Sequence, residues 1–247
     1  LRSRGLGDVY KRQDMDKAKA LLVVPLWLLA ILGLLMGALR LTINRPGYFS
    51  NIYEEMDTQS RIGISPADCT DAMMAMIGYM EGSRDSIQLT VTEYGRQVQM
   101  FNQQEIDHMV DVRALYQTFR DLGDVGLASL GLFLIGMAAW SRWPGLSRQI
   151  RRGWWVALGI FAGVLVVLGV YAAVDFSDFW TRFHYVFFTN DLWLMDYATC
   201  RMIRICPLEL FSGIIAAFTG LSLVGLAVVS LVVGLVGRRA GKEGAAA

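Results

Sequence analysis

His108 and His184 are the only two imidazoles in the 247-residue chain, and each stands beside carboxyl and carboxamide side chains. An imidazole titrates near pH ~6.5, so it can take and return a proton at neutral pH. In FNQQEIDHMVDV, Glu105 and Asp111 lie three residues before and after His108. On a helix that spacing puts all three on one face. His184 is the second residue of the stretch FHYVFFTNDLWLMDYATCRMIRICPLELF, with Asn190 and Asp191 six and seven residues on. Asp191, Glu105 or Asp111 could fix a histidine tautomer by accepting from the second ring nitrogen, as the third member of a triad does. Asn190, Trp193 and Arg182 could donate to an oxyanion. Phe183, Phe187, Phe188 and Trp193 offer an apolar wall, with Met73, Met74 and Met76 as further partners. These residue types suit general acid–base acyl transfer on a lipid-bearing substrate. No G-x-S-x-G elbow occurs, and neither histidine-bearing segment sets a serine or cysteine next to its histidine. A covalent acyl-enzyme is not implied.

The elements that must position these residues follow from hydropathy. The chain is 54% hydrophobic, and its apolar residues come in long blocks, a membrane pattern. The expected order is a first span at 15–43, an outer domain at 44–123, a second span at 124–141, a basic loop at 142–153, a third span at 154–174, an outer loop at 175–209, a fourth span at 210–237 and a tail at 238–247. The fold class is therefore an all-α membrane protein of four transmembrane helices, with a small α+β domain between the first two. Arg40 near the end of the first span can snorkel. Gly159 and Gly163 are spaced for close helix packing within the chain. Trp154, Trp180 and Trp193 are equally readable as interfacial belt or pocket wall.

Within 44–123, Ser65-Pro66-Ala67-Asp68 starts a helix that runs through Met73, Met74, Met76, Ile77 and Met80 and stops at Gly82. Those methionines read chiefly as core. SIQLTVTEYGRQVQMF alternates about Tyr94-Gly95, a hairpin pattern. Asn102 with Glu105 forms a capping box that opens the helix carrying His108. Val112, Leu115 and Phe119 continue as a neighbouring stripe. Asn190 and Asp191 could equally cap a short helix from Leu192.

Charge sets the expected orientation. The loop between the second and third spans holds Arg142, Arg148, Arg151 and Arg152 with no acid, the C-terminal flank holds Arg238, Arg239 and Lys242, and the first span follows Lys17 and Lys19. Four spans put all three on one side, the cytoplasmic one, so both histidine segments face outward. Gly7–Gln13, GDVYKRQ, resembles the in-frame translation of a library adapter, and 1–14 is read as a scar. Without those residues 19 basic and 20 acidic side chains remain, which argues against nucleic acid as a partner. Cys69, Cys200 and Cys206 all fall in outward segments, where Cys69 could pair with Cys200 or Cys206.

The two segments FNQQEIDHMVDV and FHYVFFTNDLWLMD...LELF, each placed before a span, together resemble the signatures of the lipoprotein intramolecular transacylase family of bacterial membrane proteins. The resemblance covers about 15–239. It implies four membrane helices, a small extracytoplasmic domain and a site at the outer face of the plasma membrane. It implies transfer of the sn-2 acyl chain of a diacylglyceryl-cysteine lipoprotein onto that cysteine's own α-amino group, giving a lyso-form lipoprotein without a cofactor. Its histidines match His108 and His184, and its Asn-Asp pair matches Asn190 and Asp191. Partners implied are diacylglyceryl-modified lipoproteins and membrane lipids. Tyr197 departs from the pattern, which leads us to expect proline there, and Cys200 and Cys206 are unusual in it. Two other classes compete. One is a metal-dependent membrane hydrolase using His108, His184 and Asp191, which lacks the H-E-x-x-H spacing. The other is a membrane subunit without catalysis.

Overall fold

Apolar segments close to lipid fold as helices because a helix satisfies its backbone N–H and C=O groups internally. The computed structural model describes the backbone of residues 2–139 and 146–243, and side chains of 23–135, 149–207 and 209–235. It is mostly helical, in the order α1 (Arg2–Ile43), α2 (Pro46–Glu55), α3 (Thr58–Ile62), α4 (Pro66–Glu81), β1 (Thr90–Glu93), β2 (Arg96–Gln99), α5 (Gln103–Ala139), α6 (Leu146–Val174), α7 (Phe176–Phe187), α8 (Arg201–Ile205) and α9 (Leu208–Glu243). Among the described residues, three stretches are long and apolar enough to cross a membrane: Val23–Ile43, Gln149–Val174 and Glu209–Leu235. The expected second span is the C-terminal part of α5 and is not among these three. Its end, together with Arg142 and residues 244–247, lies outside the described residues. The expected outer loop 175–209 is not a plain loop, since it contains α7 and α8. Asp175 caps α7 by accepting from Asp178 N at 2.9 Å, a local signal that the aromatic content of the stretch obscured.

The chain divides into two compact units. The first comprises 1–36, 121–174 and 222–247. Its core gathers Val23, Trp27, Ile31, Leu130, Trp154 and Leu226. Trp154 is not a belt residue. It is fully buried, meets Trp27 edge-on at 4.9 Å and donates Nε1–H to Ser230 Oγ at 3.1 Å. The close-packing glycines also differ from expectation. Gly159 and Gly163 have nothing within 4 Å of where a Cβ would stand. A Cβ on Gly123 would lie 2.8 Å from Gly33 Cα and 2.9 Å from Gly33 N, and one on Gly126 would collide with Leu29. Backbone cannot yield as a side chain can, so Gly123→Ala is expected to cost about 1–3 kcal/mol and Gly159→Ala almost nothing. Thermal unfolding of both variants in detergent checks this; equal midpoints would refute the assignment of the helix contact to Gly33 and Gly123.

The second unit comprises 37–120 and 175–221. Helix α4 begins as its sequence dictates, with Ser65 Oγ accepting from Asp68 N at 3.0 Å. It buries Cys69, Met73, Met76 and Ile77, so these methionines are core. The hairpin forms in the expected register, with Val91 opposite Val98 and Glu93 opposite Arg96. Its two-residue turn puts both Tyr94 (φ 47°) and Gly95 (φ 78°) in the left-handed region, the geometry that matches strand twist. Arg40 pairs with Glu81 at 3.2 Å. The same Glu81 oxygen accepts from Asn44 Nδ2 at 3.0 Å and Tyr116 OH at 3.0 Å, so this carboxylate ties the ends of α1 and α4 to α5. All three cysteines are free thiols. The pairing open to Cys69 is not formed, and burial pushes the Cys206 thiol up to about 12.

Candidate functional site

Helix α5 starts at a complete capping box. Asn102 Oδ1 accepts from Glu105 N at 3.0 Å, and Glu105 Oε2 accepts from Asn102 N at 2.7 Å. The box sets where the helix begins, and therefore where His108 projects one turn later. The second Glu105 oxygen accepts from Met202 N. Met202 stands in the first turn of α8, whose preceding residue, Cys200, makes no side-chain cap of its own. One fully buried carboxylate thus caps two helices. Glu105 therefore turns away from the imidazole it was expected to orient. Burial pushes its carboxyl above the ordinary range, against the pull of the two N–H donors and the Arg201 charge.

On α7, His184 Nδ1 lies 2.7 Å from the carbonyl of Trp180, one turn earlier. A carbonyl can only accept, so Nδ1 carries the hydrogen and Nε2 keeps its lone pair in the neutral ring. The helix itself sets the tautomer, a role assigned from sequence to a carboxylate. Trp180 and its i, i+4 spacing were readable only once α7 was recognised as a helix. His184 is 5% exposed. It stacks on Trp193 at 4.6 Å and 28°, meets Trp180 edge-on at 4.6 Å and lies 5.4 Å from the Phe183 ring.

The two histidines come together. Their ring centroids are 6.4 Å apart at 28°, and Phe188 sits against both, at 5.3 Å from His108 and 5.6 Å from His184. Phe187 continues the wall, packing edge-on against Phe119 at 5.8 Å. His108 Nδ1 is buried without a hydrogen-bond partner, and so is Trp193 Nε1. Two unpaired polar atoms in a buried aromatic nest are costly unless a substrate completes them. Burial, then the nearby charge of His184, lowers the His108 pKa, with Asp111 opposing.

Asp111 and Asn190 are joined to each other, not to a ring: Asn190 Nδ2 donates to Asp111 Oδ2 at 2.8 Å. Asn190 Oδ1 accepts from Leu192 N at 3.1 Å, a turn where the alternative reading had a helix. Asn190 is thus a positioning residue for the segment that carries Trp193. Gln104, which sequence reading missed, assists by donating to the carbonyls of Leu192 and Leu194, each at 3.0 Å. Asp191 is exposed, and its backbone carbonyl accepts from Leu194 N at 3.0 Å. Arg182 pairs with Asp178 at 3.3 Å on the exposed side of α7. Among the described residues, no three His, Cys, Asp or Glu side chains could hold a metal ion, so the metal-hydrolase reading has no donor set.

A model of the family described as lipoprotein intramolecular transacylase Lit matches residues 24–211. The chain belongs to the Lit family. No curated protein matches it. Solved structures of the membrane integral lipoprotein intramolecular transacylase Lit from Bacillus cereus share the fold at 16% identity. One superposes with a TM-score of 0.64, covering 95% of this chain and 100% of that one. Two further structures, in which a histidine of that protein is replaced by alanine or arginine, give 0.66 and 0.65 over 97% of this chain. The Lit fold accounts for a membrane helical protein with a two-stranded sheet. Lit membership carries, at family level, an enzyme role, a membrane setting and a lipoprotein substrate.

Proposed function

We propose that this Lit protein moves the sn-2 acyl chain of a diacylglyceryl-cysteine lipoprotein to the α-amino nitrogen of the same cysteine, using the His108–His184 pair and no cofactor. The observation that carries the reading is the buried pair of stacked imidazoles, with His108 Nδ1 and Trp193 Nε1 left unpaired in the same aromatic nest. The cysteine nitrogen attacks the ester carbonyl, the carbonyl carbon's bond to the glyceryl oxygen breaks, and the amine proton ends on that oxygen as a hydroxyl. His184 Nε2 takes the proton and returns it, while the Trp180 carbonyl holds Nδ1–H and eases the charge on the imidazolium. The charge on His184 disfavours a second charge on His108, so the pair works with a single proton. Trp193 Nε1–H is the donor for the developing oxyanion. Phe183, Phe187 and Phe188 line the acyl side. Donor and acceptor belong to one molecule, so proximity supplies much of the rate.

In this reading the C-terminal part of α5 is a fourth span, the termini are cytoplasmic and the site faces outward from the plasma membrane, as the arginine bias supports. Mass spectrometry of a lipoprotein co-expressed with the chain tests the reaction. An N-acyl, S-monoacylglyceryl terminus is expected, and an unchanged diacylglyceryl form would sink the reading.

The pH profile gives a second check. With a depressed pKa, His108 stays neutral at a pH where a free imidazole is half charged. Followed by NMR in the full chain, the His108 ring is expected to titrate below pH ~6.5. Asp111→Asn keeps an acceptor for Asn190 but removes the charge that raises the His108 pKa, and the His108 titration moves lower still. A titration that moves up would refute the assignment. The same depression has a linkage consequence. The stability it contributes is present above pH ~6.5 and is lost as pH falls through the folded value.

A further inference from the structure

A separate cavity of about 280 Å³ lies in the second unit, lined by Thr58, Arg61, Ile62, Tyr197, Arg204 and Pro207 among others. The histidines take no part in it. Its polar groups come from three elements: Thr58 and Arg61 from α3, Arg204 from α8, and Tyr197 from the turn before it. Two of them are incompletely satisfied. Thr58 is 2% exposed; its hydroxyl faces the Cys69 thiol, a weak partner, and makes no hydrogen bond of ordinary geometry. Arg204 Nε is buried without a partner, although Nη1 of the same group reaches Glu93 at 3.0 Å. Glu93 is shared: Arg201 binds it as well, at 2.6 Å. Two guanidinium groups thus face the Glu93 carboxylate, and Arg61 adds a third guanidinium at the cavity. Among the described residues, no acidic side chain lines the cavity.

Buried donors of a charged group with nothing to bind are among the costliest unsatisfied groups in a protein. Guanidinium forks match the oxygens of a phosphate. Depth identifies the source. Pro207, in the wall, stands two residues before the candidate span Glu209–Leu235, which puts the cavity where a bilayer has its headgroups. Its volume falls just below the ~300–1,000 Å³ of whole-ligand pockets, enough for a headgroup and not for acyl chains. The geometry points to a binding site for the phosphate of a glycerophospholipid headgroup, held by Arg61 and Arg204. This site does not depend on the proposed reaction.

The test titrates the purified full chain in detergent with dioctanoyl phosphatidylglycerol, following the thermal unfolding midpoint. Dioctanoylglycerol, with the same chains and no phosphate, and inorganic phosphate serve as comparators. The phospholipid is expected to raise the midpoint saturably and the other two to leave it unchanged. Arg61→Ala is expected to weaken the apparent affinity about tenfold, the worth of a charge-assisted hydrogen bond, and Arg61→Lys, which keeps the charge but not the fork, by less. Both keep the Arg204–Glu93 pair, so both are expected to fold. An equal effect of dioctanoylglycerol, a full effect of inorganic phosphate alone, or unchanged titrations in both variants would overturn the proposal.

Discussion

His108→Ala and His184→Ala each leave less than about 1% of wild-type transfer, the loss expected when positioned acid–base catalysis worth 10²–10⁴-fold is removed. The readout is the ratio of lyso-form to diacylglyceryl lipoprotein in cells carrying each variant, with far-UV circular dichroism of the purified proteins as the folding control. The double variant is expected to be no worse than the more damaging single one, because the two rings act as one unit. Trp180→Phe separates a side-chain role from a backbone one. It keeps the carbonyl that holds His184 Nδ1–H, so it is expected to cost at most about tenfold. Unchanged lipoprotein in both alanine variants would leave the chain a membrane protein of this family in which the histidines do no chemistry.

Glu105→Ala has the largest expected effect on stability. Its side chain is fully buried and accepts from Asn102 N and Met202 N at once. Alanine leaves both N–H groups unpaired and opens a void, together about 3–5 kcal/mol. In a chain of this size 3 kcal/mol moves the midpoint by roughly 6–12 °C. Glu105→Gln loses less, because it keeps one acceptor and relieves the burial cost that raises this carboxyl. Calorimetry of both variants in detergent decides. Alanine within about 1 kcal/mol of wild type, or glutamine as harmful as alanine, would show that Glu105 caps neither helix to effect.

The features legible in the sequence are those whose partners are local. The Asn102–Glu105 box, the Ser65 cap and the Tyr94-Gly95 turn each close within a few residues, so spacing alone reveals them. The histidine pair was legible as a pair because the chain holds only two. The partner of each site residue was not. From His108, Glu105 and Asp111 were equally near in spacing, but their carboxylates go to Met202 N and Asn190 Nδ2, which no local pattern indicates. Asp191 and Arg182 drew attention by type alone, and side-chain type does not say which way a turn points. Trp180 was hidden for the opposite reason. Its contribution is a backbone carbonyl, which every residue has, and only the helix gives it direction.

The ties that shape the segment around Trp193 have a consequence for biosynthesis. Asp111–Asn190, Gln104–Leu192, Asn102–Thr199 and Glu105–Met202 span 79, 88, 97 and 97 residues. When α5 leaves the ribosome its capping box can close at once, but the other face of Glu105 has no partner until α8 follows. At about 5–20 residues per second that interval is roughly 5–20 s. For most of it the nascent protein carries His108 without His184. On the proposed mechanism, competence arrives late, once α8 has followed, and a translation product that stops before His184 is expected to be inactive.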